Sequence, residues 1–228
     1  VGTQPGTPAT ICVGGTSANM TVAGSGGTGS FSYQWQYNNG GTWGNVSNGT
    51  PAGSTYTGGS TATFSVAGIS TAGSYQYRCV ISQTGSGCSQ LTTNTATVVV
   101  VADPSLSAAT RTNAVICSGG SSVFSSTLSN GTGTVGYQWQ YSADNTTWSN
   151  VVAGTPAGAT YTNPTTTSMT IGGISATGTY YYRLSATSTG SGCTTPVYSA
   201  SATLQVVASP TVGTQPGTPA TICVGGTS

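Results

Sequence analysis

The sequence predicts an all-β protein made of two-sheet sandwiches. Apolar and polar residues alternate in one short segment after another, which is typical of half-buried strands. Clusters of Gly, Asn and Pro separate these segments, and no segment shows the sustained 3.6-residue period of a helix. About seven such strands fall within each stretch of roughly 105 residues. This density suits a sandwich of two packed sheets.

The largest repeat in the chain has a period of 211 residues. Residues 1–17 and 212–228 are identical and read VGTQPGTPATICVGGTS. Two such copies would diverge under ordinary drift, so the duplication is recent or actively maintained. We therefore interpret the chain as one period of a tandem array followed by the start of the next period.

A second repeat, of about 105 residues, lies inside the first. Cys12 recurs as Cys117 at this spacing, and a unit of this length can bury one small hydrophobic core. The predicted units are a domain at 1–102, a domain at 103–209, and the first strand of a third, repeated domain at 210–228. Asp103-Pro104 and Ser209-Pro210 mark the joints. Because these linkers are so short, we expect neighbouring domains to touch.

The charge content excludes several classes of function. Charged residues make up 2% of the chain, with three Arg, two Asp and no Lys, Glu or His. A basic surface for nucleic acid is therefore absent, and no apolar run is long enough to span a membrane. No base is available to activate a hydroxyl or a thiol. We expect no enzyme, no cofactor, no metal site and no nucleic-acid partner.

The alternation assigns the strands in order along each unit. An early strand carries Met20, or Phe124 in the second unit, and the strand YQWQY follows it. The later inward faces of the first unit carry Ala62, Phe64 and Val66, then Tyr75, Tyr77, Cys79 and Ile81, then Ala96, Val98 and Val100. The predicted core residues are Trp35, Trp139, Tyr77, Tyr182, Cys79 and Leu184.

Both units resemble immunoglobulin-like domains. The YQWQY strand precedes the strand GSYQYRC by about 40 residues, as strands C and F do in that fold. The pattern ICxGG…YQWQ…W…TYT…GxYxYR…GC resembles the bacterial Ig-like and PKD-like tandem repeats of large secreted adhesins and filaments. Unlike antibody domains, strand B carries Met20 or Val22 opposite strand F. The usual inter-sheet disulfide is therefore missing, and Cys79 is expected to be a buried thiol.

The other cysteines follow the repeat, and a secreted chain would keep them oxidised. They are Cys12, Cys88, Cys117, Cys193 and Cys223, one before strand B and one in the F–G loop of each unit. In the immunoglobulin topology these positions lie about 30 Å apart, at opposite ends of a domain, whereas a disulfide needs Cα atoms within about 7 Å. This favours Cys12 with Cys193, and Cys117 with the Cys88 counterpart of the following period. The alternative is intradomain pairing of Cys12 with Cys88 and of Cys117 with Cys193.

Four outward side chains allow two interpretations each. Trp43 and Trp148 follow hairpin signals, and they either form exposed platforms for sugars or pack across the hairpin. Arg78 and Arg183 point away from the core face. They either contact a partner or lie over a neighbouring Tyr or Gln on the sheet.

The sequence favours a structural role. We expect a repeat unit of the shaft of an extracellular bacterial filament or giant cell-surface adhesin, with a glycan- or surface-binding module as the alternative. A binder should show loops that differ between units, whereas GTPAG and TGSGC recur in both. The expected partners are copies of the protein itself, along the chain and laterally, because no Lys protects the strand edges.

We expect the fold to be independent of metal ions, and of pH between 5 and 9. Asp103 and Asp144 are the only carboxylate side chains and the chain has no His, whereas calcium sites draw on several carboxylates. Calorimetric melts with and without chelator, and across this pH range, should superimpose. A large fall in melting temperature with chelator would reveal a metal site.

Overall fold

Alternating burial along the strands forms two β-sandwiches, one after the other along the chain. The structure is a computed structural model that describes residues 1–85, 87–218 and 221–226. Every named element is a strand. Among the residues described, none forms a helix with the length and hydrophobicity of a membrane span.

The first sandwich has nine strands in two sheets. They are β1 Ile11–Cys12, β2 Met20–Thr21, β3 Phe31–Asn39, β4 Thr42–Asn45, β5 Thr55–Thr57, β6 Thr63–Ala67, β7 Gly73–Gln83, β8 Leu91–Thr92 and β9 Ala96–Val101. One sheet has the order β1-β9-β7-β3-β4, with β8 on β7, and the other has the order β2-β6-β5. These orders correspond to the A′GFCC′ and BED sheets of an immunoglobulin-like domain. β1 runs parallel to β9, so that Cys12 lies opposite Val101.

The second sandwich repeats this topology. Its strands are β10 Ser105–Leu106, β11 Thr110–Arg111, β12 Val115–Cys117, β13 Ser121–Ser125, β14 Leu128–Ser129, β15 Val135–Ser142, β16 Ser149–Asn150, β17 Thr160–Thr162, β18 Ser168–Gly172, β19 Gly178–Ser188, β20 Val197–Tyr198 and β21 Ala202–Val207. The sheets have the orders β12-β21-β19-β15-β16, with β20 on β19, and β11-β13-β18-β17. β10 and β14 form a small additional pair.

Each sandwich closes around a buried tryptophan. The ring of Trp35 stacks on Phe64 with 4.5 Å between centroids, and Trp139 meets Phe124 edge-on at 6.1 Å. Each indole N–H donates to a carbonyl, that of Thr61 or that of Thr166, at 2.9 Å. All six predicted core residues are 0% exposed. The thiol of Cys79 is unpaired, and burial raises its pKa to about 11.

Side-chain hydroxyls satisfy the backbone where strand F changes partner. β7 pairs with β9 as far as Tyr77 and with β8 from Val80 onward. Between these ladders the N–H of Cys79 donates to Thr93 Oγ1 at 2.9 Å. The N–H of Leu184 donates to Ser199 Oγ at the same distance in the second sandwich. Without these hydroxyls, each sandwich would bury an unsatisfied donor.

The segment predicted to begin a third domain forms no strand in its described residues, 210–218 and 221–226. Ile222 is 51% exposed, whereas Ile11, the same residue of the identical copy, is 3% exposed in β1. The described chain holds no strand that could pair with this second copy as β9 pairs with β1. The assignment of 210–228 to a third domain stays a prediction.

Two pairs of tyrosine hydroxyls meet beside the cores. Tyr56 donates to the carbonyl of Thr50 at 2.6 Å and lies 3.5 Å from the hydroxyl of Tyr77. Tyr161 and Tyr182 repeat this contact at 3.5 Å. Burial is the main cause that raises the pKa of Tyr77 and of Tyr182 far above the usual range of tyrosine.

We expect the free energy of unfolding to fall steeply above pH 10. The pKa of Tyr77 and of Tyr182 is raised in the folded state, so their stabilising contribution is complete below the unfolded value near 10. It is lost as the pH rises above that value, by up to about 1.4 kcal/mol per pH unit for each residue. Urea unfolding between pH 8 and 12 measures this loss.

The double substitution Tyr77→Phe and Tyr182→Phe tests the assignment. It should flatten the alkaline slope, at a cost of about 0.5–1.5 kcal/mol per lost hydrogen bond at neutral pH. Tyr198→Phe changes a tyrosine that is 45% exposed, and this control should retain the wild-type slope. An unchanged slope in the double variant would contradict the prediction.

Candidate functional site at the domain joint

The two sandwiches are joined by a disulfide between Cys12 and Cys193. Cys12 ends β1 of the first sandwich, and Cys193 lies in the F–G loop of the second. Their Cα atoms are 4.9 Å apart although 181 positions separate them in sequence. This is the inter-domain pair that the sequence favours. It leaves neither cysteine free for an intradomain bond to Cys88 or Cys117.

Ser191 supplies the hydrogen bonds on either side of the disulfide. Its carbonyl accepts from the N–H of Cys12 at 2.8 Å, and its hydroxyl accepts from the N–H of Thr16 at 2.9 Å. Both donors belong to the first sandwich, whereas the acceptors belong to the second. The F–G loop is therefore docked by its backbone as well as by its sulfur atom.

Glycines allow the two backbones to approach this closely. A Cβ atom on Gly15 would collide with the carbonyl group of Ser191, and one on Gly192 would collide with the backbone of Gly15. Gly192 also has φ +77°, a conformation that favours glycine. Any larger residue at Gly15 would therefore force the joint apart.

The linker itself contacts the same loop. The carboxylate of Asp103 accepts hydrogen bonds from the backbone N–H of Thr194 at 3.3 Å and from its hydroxyl at 2.9 Å. One of the two acidic side chains of the protein thus ties the linker to the residue that follows Cys193. The joint combines a covalent bond, backbone hydrogen bonds and a charge-assisted clasp.

Four cysteines remain unpaired. They are Cys79, Cys88, Cys117 and Cys223. Cys79 is buried, Cys88 is half-buried, and the other two are exposed. The predicted partners of Cys88, Cys117 and Cys223 belong to neighbouring periods, so those pairings stay predictions.

The outward arginines lie over tryptophans. In the first sandwich the guanidinium of Arg78 lies 4.3 Å from the ring centroid of Trp43, and its Nε donates to Gln36 at 2.9 Å. In the second sandwich Arg183 makes the same contacts with Trp148 and Gln140, and it also lies 4.0 Å from the ring centroid of Tyr198. Gln36, Gln140 and Tyr198 are neighbours of the kind that the sequence indicated, whereas the tryptophan contacts were not expected. In the first sandwich β3 lies between β4, which carries Trp43, and β7, which carries Arg78. In the second sandwich β15 lies between β16, which follows Trp148, and β19, which carries Arg183.

Nothing in the described part of the chain resembles a metal or acid–base centre. No group of three or more His, Cys, Asp or Glu side chains lies close enough together there to hold an ion. The carboxylate of Asp144 accepts from the backbone N–H groups of Thr147 and Thr146, and these bonds lower its pKa below the usual range. A surface cleft of about 430 Å³ beside the joint is lined by uncharged residues such as Thr10, Thr132 and Thr189.

A family model described as a domain of unknown function, DUF8696, matches residues 107–208. This range falls within the second sandwich. No curated protein matches the sequence.

Solved structures with similar folds include a marsupial T cell receptor. It is 13% identical and the match covers 92% of this chain and 74% of that one, with a TM-score of 0.50. Both units of this chain are immunoglobulin-like domains.

Two further matches have lower TM-scores. The FN1–FN3 domains of chicken CNTN1 are 12% identical, with 90% and 68% coverage and a TM-score of 0.37. The fibronectin(III)-like modules of Clostridium thermocellum CbhA are 12% identical, with 90% coverage of both chains and a TM-score of 0.32.

We expect Gly15→Ala to weaken the Cys12–Cys193 bond selectively. Overpacking of this kind costs about 1–3 kcal/mol, so the equilibrium constant for disulfide formation should fall about tenfold. Titration in glutathione redox buffers, read by mass spectrometry of alkylated thiols, measures that constant.

Gly120→Ala is the matched control. A Cβ there would lie 2.9 Å from the carbonyl of Cys117, and one on Gly15 would lie 3.0 Å from that of Cys12. The local strain is thus shared, but only Gly15 touches Ser191. Equal effects of the two substitutions on the Cys12–Cys193 bond would show a general loss of stability and would contradict the specific role of the Gly15–Ser191 contact.

Proposed function

We propose that the chain is a structural repeat unit in the shaft of an extracellular bacterial filament or giant cell-surface adhesin. The observation that carries this proposal is the joint at Cys12–Cys193, which bonds consecutive immunoglobulin-like domains covalently. A disulfide of this kind persists in oxidising surroundings, which supports an extracellular location. The identical segments at 1–17 and 212–228 support a tandem array.

The joint would give such a shaft its stiffness. A flexible linker lets domains swing, whereas here the linker residue Asp103 and the loop residues Ser191 and Cys193 all hold the neighbouring domain. Bonds on both sides of the linker restrict rotation between the two sandwiches. A series of such joints would form a stiff rod in which neighbouring domains cannot rotate freely.

Lateral contacts between shafts are part of the proposal. No Lys protects the strand edges, and 2% charged residues give neighbouring chains little electrostatic repulsion. Sheet edges such as β4 and β16 could therefore pack against copies of the same protein. The proposed role needs neither catalysis nor a cofactor.

The shaft is better supported than a glycan-binding role. Each outward indole has one face covered by an arginine, at 4.3 Å in both domains, which leaves at most one face of each ring for a ligand. The loop segments GTPAG and TGSGC are the same in both units, which suits a spacer more than a recognition surface.

Negative-stain microscopy of the native material tests the proposal. We expect long, unbranched fibres with an axial repeat near the length of two domains. Treatment with a thiol reductant should make the same fibres more flexible without unfolding the domains, as judged by far-UV circular dichroism. Discrete short particles, before and after reduction, would contradict the shaft and favour the binding module.

A further inference from the structure

We propose that Cys117 and Cys88 are the two halves of a second joint, in which Cys117 of one repeat forms a disulfide with Cys88 of the next copy of the repeat. This inference rests on the proposed shaft function and deepens it. The partner is a second copy of the same sequence, and the bond would link one 211-residue period to the following one.

The turn around Cys117 has the same conformation as the turn around Cys12. The N–H of Gly14 donates to Ile69 at 2.9 Å, and that of Gly119 donates to Ile174 at 2.8 Å. Both glycines have left-handed backbone conformations, with φ values of +78° and +82°. The turn that presents Cys12 to its partner is therefore present at Cys117 without a partner in place.

The position of Cys117 within its sandwich is also the same. Cys12 lies opposite Val101, the last residue of β9, and Cys117 lies opposite Val207, the last residue of β21. Each cysteine thus stands beside the point where the chain leaves its sandwich. In the first joint, this is where the F–G loop of the following domain docks.

The other half of the joint is formed around Cys88. Residues 84–88 and 189–193 both read TGSGC. The N–H of Cys88 donates to Gly85 at 3.3 Å, as that of Cys193 donates to Gly190 at 3.2 Å. Gly87 and Gly192 both have φ +77°. Ser86, the counterpart of Ser191, lies outside the described residues.

The difference between the two joints is that the second lacks its partner. A Cβ on Gly192 would collide with Gly15, whereas one on Gly87 would meet nothing within 4 Å. A Cβ on Gly15 would collide with Ser191, but one on Gly120 would touch only its own turn. The space that the opposing loop fills in the first joint is open in both halves of the second.

The second joint would rely more heavily on its disulfide. Its linker carries Ser209 where the first carries Asp103. Ser209 donates to the carbonyl of Ser118 at 3.5 Å and offers no carboxylate to the loop of the next domain. Without that clasp, a covalent bond is the strongest available link between the second and third domains.

The bond forms by a balanced oxidation. The thiols of Cys117 and Cys88 lose two protons and two electrons as their sulfur atoms join. A disulfide oxidant such as oxidised glutathione accepts both and leaves as two molecules of reduced glutathione.

Peptide mapping of a two-period chain tests the inference. The chain carries residues 1–211 followed by the full 228 residues, with Cys88→Ser in the first copy and Cys117→Ser in the second. After refolding in glutathione buffer and proteolysis without reduction, we expect a cross-linked peptide joining the remaining Cys117 to the remaining Cys88. Recovery of both as free thiols, or of either in any other pair, would overturn the inference.

Two glycine variants distinguish a joint from chance oxidation. Gly120→Ala in the first copy should lower the equilibrium constant for the Cys117–Cys88 bond about tenfold and leave Cys12–Cys193 intact. Gly15→Ala should do the reverse. If neither bond responds, random oxidation explains the cross-link.

Failure of this inference is separable from failure of the shaft. If microscopy shows fibres in material whose Cys117 is a free thiol, the proposed shaft function stands and only the second covalent joint is rejected.

Discussion

The contact on which the rest of this molecule depends is the close approach of two backbones at the domain joint. Gly15 and Gly192 have no side chains to separate the turn after β1 from the F–G loop of the second sandwich, so the carbonyl of Ser191 can reach the N–H of Cys12. The disulfide is possible only because this approach brings the Cα atoms within 4.9 Å. A short linker alone would bring the domains together, but it would leave their mutual rotation free.

The scarcity of charged residues determines how the chain makes its polar contacts. Many of its polar contacts are made by hydroxyl groups. Thr93 and Ser199, for example, accept hydrogen bonds from backbone N–H groups of strand F at the point where that strand changes its pairing partner. Four of its five charged side chains make specific contacts. Asp103 holds the joint, Asp144 closes a turn, and Arg78 and Arg183 lie over indole rings. Such a surface should respond weakly to salt because few of its interactions are ionic.

Much of the fold was predictable because strand alternation is a strong signal in long strands. The two-residue period placed Trp35, Tyr77 and their counterparts on inward faces of their strands, and all four are buried. The distance between the two ends of an immunoglobulin-like domain favoured the inter-domain pair Cys12–Cys193 over intradomain pairing, and the structure contains that pair.

Other features of the fold could not be predicted from the sequence, for physical reasons. Strands such as Ile11–Cys12 and Ser105–Leu106 have two residues each, too few to show any period. The parallel pairing of β1 with β9 joins residues that lie far apart in sequence. The decisive glycines, Gly15 and Gly192, are two among 35, so nothing in the sequence marks them as the points of contact.

The Cys12–Cys193 bond also decides which residues carry load when the chain is stretched. Tension applied at the two ends crosses from residue 12 to residue 193 through the sulfur atoms. Residues 13–192, which include both tryptophan cores, lie outside the covalent load path. In an array with this bond in every period, the loaded backbone runs from Cys193 to Cys223, a stretch of 30 residues. Fully extended, such a stretch spans about 100 Å. This length would limit how far such an array could be extended before the load reached covalent bonds.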